Sequence, residues 1–186
     1  MPTRINKGIL LCVLLAAALV PAIARAAPMY SLTIVGGDRS NEIHIGLSGD
    51  ESEYVIRANG PIAEVADCRN PAGEPTELRC PVAQISSFVV RTQAGNDTVL
   101  VAKAVAVSTF LYGGEGHDDL TGGDAADKLV GHEGADTLTG RDGDDFLFGH
   151  EGDDSLFGGH GKDLVRGGPG RDEATGGHGR SDDVQA

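Results

Sequence analysis

From residue 113 onward one apolar side chain recurs every nine positions: Leu120, Leu129, Leu138, Leu147, Leu156, Val165 and Ala174. Gly-rich hexapeptides separate them. Each nine-residue block therefore reads as a tight turn followed by a three-residue strand. Its middle side chain lies on one side of the strand, because side chains alternate with period two. Two blocks close one coil of a flattened roll, with the aliphatic residues stacked inside and the turns along two edges. Successive coils are expected ~4.8 Å apart, the spacing of hydrogen-bonded strands. The pattern predicts an all-β fold, a parallel β-roll (β-solenoid).

The preceding segment alternates differently but is also β in character. Leu32/Ile34, Ile43/Ile45/Leu47, Ile85 to Val90 and Val105/Val107 interleave with small or polar residues and are divided by Gly, Asn, Asp and Pro. Helical periodicity is absent. The expected organisation is an N-terminal β cap over 27–91, a worn repeat and connecting strand over 92–112, and the regular array over 113–186. Within the cap, Gly36 to Ile43 keeps paired glycines, an Asn at the sixth position and an aliphatic in place, while Gly95-Asn96-Asp97-Thr98-Val99 keeps Gly, Asp and Val at the right offsets. Coils that cover the first edge strand of the roll are predicted; a separate small β-sandwich is the alternative.

At the N-terminus, Arg4 and Lys7 precede an apolar run from Gly8 to Val20, followed by Ala24-Arg25-Ala26. This is the layout of a secretory signal peptide over 1–26, cleaved after Ala26. The run is short for a membrane span of ~20 residues. A secreted, extracellular protein is expected. Cys68 and Cys80, the two cysteines that remain, are expected to pair in that oxidising setting.

Charge sharpens the picture. The full chain has 15 Lys and Arg against 28 Asp and Glu; removal of a leader containing three of the bases leaves a net charge of −16. Such a surface disfavours nucleic acid and anionic membrane and favours cations.

The acids are placed by the same nine-residue register. Blocks starting at Gly113, Gly122, Gly131, Gly140, Gly149, Gly158, Gly167 and Gly176 follow Gly-Gly-x-Gly-x-Asp-x-aliphatic-x. The sixth position is Asp in seven of them: Asp118, Asp127, Asp136, Asp145, Asp154, Asp163 and Asp172. Asp118, Asp136, Asp154 and Asp172 fall on one edge, and Asp127, Asp145 and Asp163 on the other. Carboxylates stacked one coil apart repel unless a cation lies between them. Ca²⁺ suits the site best, since it accepts six to eight oxygens in flexible geometry, carbonyls of Gly turns included. The register resembles the RTX family, the haemolysin-type calcium-binding repeat. The resemblance implies about five Ca²⁺ ions, between Asp118 and Asp136, Asp136 and Asp154, Asp154 and Asp172, Asp127 and Asp145, and Asp145 and Asp163. Third-position Glu115, Asp124, Glu133, Asp142 and Glu151 add negative potential. The array degrades at its end: block eight has Ser181 at the Asp position, with Asp182 displaced by one. The weakest sites are expected there.

No catalytic constellation emerges. His132-Glu133 and His150-Glu151 lack the second His of a zinc-protease motif and sit in turns; no Gly-x-Ser-x-Gly elbow occurs. The repeat histidines fall at turn positions facing solvent, with His132 and His150, and His160 and His178, expected to stack. A non-enzymatic calcium-binding role, structural or interactive, is therefore expected. The competing classes are a polysaccharide-active hydrolase and an adhesin using the roll as a surface. Outward positions Lys128/Val130, Phe146/Phe148 and Leu164/Arg166 put a small apolar cluster on one face, a candidate self-association or partner site around Phe146, Phe148 and Leu164. Because each block buries only about one Leu while fixing nine residues, the array is expected to fold only with calcium bound.

Overall fold

A computed structural model describes residues 11–14, 29–60, 68–71, 76–178 and 182–186. The expected leader lies largely outside the described residues, as does its cleavage point; within it, the backbone of β1 (Leu11–Leu14) is described. The strands that follow are β2 (Tyr30–Val35), β3 (Glu42–Leu47), β4 (Glu53–Ala58), β5 (Glu77–Pro81), β6 (Ile85–Ala94) and β7 (Thr98–Val101). The regular array supplies β8 (Thr109–Glu115), β9 (Asp119–Thr121), β10 (Lys128–Glu133), β11 (Thr137–Asp142), β12 (Phe146–Glu151), β13 (Ser155–His160), β14 (Leu164–Arg166), β15 (Glu173–Gly177) and β16 (Asp183–Gln185).

These strands form two facing sheets, and successive strands of the roll alternate between them. One sheet runs β1-β2-β6-β8-β10-β12-β14-β16, the other β15-β13-β11-β9-β7-β3-β4-β5. From β2 and β3 onward every coil-to-coil pairing is parallel. In the array, strands pair at an offset of 18 residues, so two nonapeptides make one coil. The expected parallel β-roll is what the chain forms. The stacked middle residues become its core: Leu120, Leu129, Leu138, Leu147 and Val165 have no exposed surface and Leu156 has 1%. Ala174, the smallest of the series, packs only partly buried at the end.

The N-terminal strands continue the same two sheets and do not form the separate sandwich that was the alternative. Leu32, Ile34, Ile43, Ile45, Phe88 and Val99 join one continuous core with the leucines of the array. One part departs from the expectation of coils. Instead of winding on, the chain turns back twice, β3 to β4 and β4 to β5, in an antiparallel meander. The first reversal is a tight turn in which Glu51 takes φ 58°. Cys80 on β5 is bonded to Cys68, so the expected disulfide is present. At the other sheet's end β1 pairs antiparallel with β2.

The outward positions also differ in one detail. Phe146 is 49% exposed, but Val130 only 3%, because it lies in register between Tyr112 and Phe148 on the neighbouring strands. Phe157, on the opposite sheet, is 43% exposed. Among the described residues no helix is long and apolar enough to cross a membrane.

Candidate metal centre

Each edge of the roll carries a ladder of sixth-position side chains. On one, the backbone N–H of Asp118 donates to Asp136 Oδ1 (2.8 Å), Asp136 to Asp154 Oδ1 (2.9 Å) and Asp154 to Asp172 Oδ1 (3.0 Å). On the other, Asp127 donates to Asp145 Oδ1 (2.8 Å) and Asp145 to Asp163 Oδ1 (3.0 Å). The structure thus brings the seven aspartates together in the two rows expected from the register. Asp118, Asp127, Asp136, Asp145, Asp154 and Asp163 are at most 3% exposed.

The second carboxylate oxygen decides the chemistry. Oδ2 of Asp118, Asp136, Asp145, Asp154, Asp163 and Asp172 is buried and accepts no hydrogen bond. A buried charge with half its acceptor capacity unmet is costly. It also faces another acceptor. A Cβ built on Gly113 would collide with Asp118 Oδ2 and lie 2.9 Å from Gly131 O of the next coil. The same pair of oxygens recurs around Gly131 (Asp136 Oδ2, Gly149 O) and Gly149 (Asp154 Oδ2, Gly167 O). First-position glycine is required because any side chain would fill this cradle.

Asn41 shows what belongs in such a place. It holds the sixth position of the first coil, and a Cβ on Gly36 would lie 2.8 Å from both Asn41 Nδ2 and Thr92 O. Nδ2 therefore stands where the aspartates below present Oδ2. It donates toward Arg39 O (2.6 Å), Asp97 Oδ1 (3.0 Å), Thr92 O (3.2 Å) and Gly37 O (3.3 Å). Four oxygens around one nitrogen fix the orientation of this amide. In the coils below, an oxygen replaces the nitrogen, so the surrounding acceptors call for a cation.

Electrostatics agree. Burial, with the charge of neighbouring aspartates, pushes the carboxyls of Asp118 and Asp145 up to about 7 and that of Asp136 up to about 6. Burial also raises Asp97, Asp127, Asp154 and Asp163. Among the described residues no three His, Cys, Asp or Glu side chains gather into a cage. A cation between coils would draw on main-chain carbonyls besides the carboxylates, a hard, all-oxygen donor set that suits Ca²⁺ rather than a softer metal.

Asp127 is the exception in the ladder. Its Oδ2 accepts the N–H of Gly123 (2.7 Å) and its Oδ1 that of Thr109 (2.6 Å). Arg141 caps the same end, its Nη1 donating to Val101 O (2.5 Å) and Gly122 O (3.0 Å).

Residues 112–147 and 139–174 match the model of the RTX calcium-binding nonapeptide repeat, which spans four copies. That stretch is an array of RTX-type calcium-binding repeats. No curated protein and no solved structure matches the chain. The RTX match stops short of two residues that the ladders include. Asp97 N–H donates to Asp118 Oδ1 (2.9 Å), and Asp163 N–H to Asp182 Oδ1 (3.1 Å). Asp97 was signalled by the Gly-Asn-Asp-Thr-Val remnant. Asp182 was hidden by one inserted residue, but its carboxylate takes the sixth-position place in the ladder.

A second ladder on the outer rim had no expectation behind it. Fifth-position side chains accept the fifth-position N–H of the next coil: Asn96 Oδ1 from His117 (3.0 Å), His117 Nδ1 from Ala135 (2.9 Å), Asp144 Oδ1 from Lys162 (2.8 Å) and Asp153 Oδ1 from Arg171 (3.0 Å). His117 is therefore a structural acceptor and not a free surface residue. The other histidines stack as expected, with ring centroids 5.3 Å apart for His132 and His150 and 5.4 Å for His160 and His178.

Proposed function

We propose that this is a secreted, non-enzymatic RTX protein whose roll is held together by calcium between successive coils. On this reading Asp118, Asp127, Asp136, Asp145, Asp154, Asp163 and Asp172 are the metal-binding side chains, with about five ions between neighbouring coils. The single observation that carries it is the row of buried Oδ2 atoms without donors, at the place where Asn41 presents a nitrogen.

Bound calcium supplies positive charge between carboxylates that otherwise repel. The chain does the rest. Sixth-position Oδ1 atoms hold the neighbouring coil by its N–H, leaving Oδ2 fixed beside the first-position carbonyl of the next coil. First-position glycines keep that space open. Because these oxygens converge only when two coils are stacked, ion binding and stacking are one event, and binding energy becomes folding energy. Extracellular modules of this kind bind at ~0.1–1 mM, so the chain would stay unfolded where calcium is scarce and fold outside the cell. The leader over 1–26 and the Cys68–Cys80 disulfide support that destination. The sixth-position acids occupy turns and not outward strand positions, which favours calcium over hydrolysis. Phe146, Phe148 and Leu164 form the face for association with a partner or a second copy.

The test is a calorimetric calcium titration of the mature chain followed by circular dichroism. Uptake of several ions with a steep gain of β signal is expected. A chain that keeps full β signal and protease resistance in excess chelator would overturn the reading.

A further inference from the structure

Two kinds of joint hold the coils together. Within the array, first-position carbonyls lie beside aspartate Oδ2 atoms, oxygen against oxygen, at Gly131, Gly149 and Gly167 on one edge and at Gly158 and Gly176 on the other. Towards the N-terminus the chain closes the corresponding carbonyls with donors of its own. Gln93 Nε2 donates to Gly36 O, Asn41 Nδ2 to Thr92 O (3.2 Å) and the Thr92 hydroxyl to Gly113 O (2.9 Å). On the second edge Arg141 Nη1 donates to Gly122 O (3.0 Å).

We propose that the N-terminal cap and the coils joined in this second way form a seed that folds without calcium, and that Arg141 straps the first coils of the array to that seed in place of an ion. This rests on the reading of calcium between coils given above. The dependence on calcium then belongs to the array alone, which folds onto a preformed end.

Arg141 is built for this place. It stands at a second position where Gly123, Gly159 and Gly177 stand on the same edge, and its backbone takes φ 86°, a conformation that favours glycine. The side chain runs back along the edge. Besides Gly122 O it reaches Val101 O (2.5 Å), the last residue of β7. β7, β9 and β11 are neighbours in one sheet, so one guanidinium ties three successive strands. At this level the sixth position is Thr109, whose N–H meets Asp127 Oδ1 (2.6 Å), and no pair of carboxylates awaits an ion. Asp127 is also the one array aspartate whose Oδ2 is met by a donor, the N–H of Gly123 (2.7 Å). Burial raises its carboxyl, and the positive charge of Arg141 works against that rise.

The cap has the core that folding without an ion requires. Tyr54, Ile56, Leu78 and Phe88 are at most 2% exposed, and Tyr54 meets Phe88 edge to face at 5.0 Å. The Cys68–Cys80 disulfide closes the meander. An array coil instead encloses two aliphatic side chains, such as Leu138 and Leu147, too few to offset the ordering of a whole coil.

The test is amide hydrogen exchange on the full mature chain, read by mass spectrometry in excess chelator and in saturating calcium. In chelator, protection is expected over β2 to β8 and onward to Arg141 on β11, and none over β12 to β16; calcium should extend it to the end. Arg141→Gly relieves the backbone, yet in chelator protection of β9 to β11 should vanish while β2 to β6 keep theirs. Its calcium midpoint should rise about tenfold, the equivalent of one charged hydrogen bond. Uniform exchange of all strands in chelator overturns the proposal. So does a variant with wild-type protection and midpoint. If Arg141→Gly fails to fold even with calcium, the wild-type pattern in chelator decides alone. Protection of every strand in chelator, β12 to β16 included, would instead remove the calcium reading beneath it.

Discussion

Protons and calcium should compete for the same carboxylates, and in the absence of calcium acid should fold the roll. In the calcium-free roll Asp118 and Asp145 titrate at about 7 and Asp136 at about 6, against 3.8 for an ordinary Asp. A carboxyl raised in the folded state binds a proton that the unfolded chain releases. Its contribution to stability is therefore fully present below ~pH 4 and is lost as the pH rises through 6 and 7. At about 1.4 kcal/mol per pH unit, acidifying from pH 8 to 5.5 returns about 2 kcal/mol each for Asp118 and Asp145 and somewhat under 1 for Asp136. The sum of about 5 kcal/mol is on the scale of a whole domain's stability. Far-UV circular dichroism on the calcium-depleted chain at constant ionic strength should show β signal rising across that interval. With saturating calcium the signal should stay flat from pH 8 to 6, while the calcium midpoint moves to higher concentration as the pH falls. A calcium-free signal that is flat, or that declines on acidification, would refute the claim that buried carboxylates hold the empty roll open.

Three further outcomes follow from particular contacts. Gly131→Ala puts a Cβ onto Asp136 Oδ2 and 2.9 Å from Gly149 O; about 1–3 kcal/mol of stability should be lost and calcium midpoints should rise, whereas Gly49→Ala, with nothing within 4 Å of its Cβ, serves as the neutral control in the same melts. Leu138→Ala empties a fully buried place in mid-stack and should cost about 2–5 kcal/mol in denaturant unfolding with calcium present. His132→Gly relieves a backbone at φ 86° where the preceding coil has Gly114; the melting temperature should rise by a few degrees, equivalent to about 1 kcal/mol.

The legible part of this fold is the part that repeats. Leu120 through Val165 could be placed in the core and the aspartates sorted onto two edges because an 18-residue coil maps sequence spacing directly onto strand pairing. That mapping fails where the spacing changes. The 21-residue coil to Asp97 kept its local Gly-Asn-Asp signature, so the remnant was visible while its place in the ladder was not. Asp182 was one residue out of register, and only the contact between Asp163 N–H and its carboxylate shows that it joins the ladder. The meander β3–β4–β5 has the same alternation as a coil; antiparallel return depends on which strand is met, and alternation alone does not encode that. The Asn41 amide and the Arg141 guanidinium were illegible for a similar reason, since each reaches a carbonyl of another coil, 51 residues away for Asn41 and 40 for Arg141.

The sixth-position contacts all point the same way. From Asn41 to Asp154 and from Thr109 to Asp163, each N–H is received by the carboxylate of the coil that follows it in the chain. Every coil thus lends its amide forward and depends on a successor; none depends in this way on its predecessor. A chain that emerges N-terminus first cannot complete this contact in any coil until the next has appeared, so a partly emerged array stays unfinished at its trailing end. Shortening from the C-terminus strips the carboxylate acceptor from the last surviving coil, while shortening from the N-terminus leaves every remaining sixth-position amide satisfied. The roll has a grain, and damage travels against it.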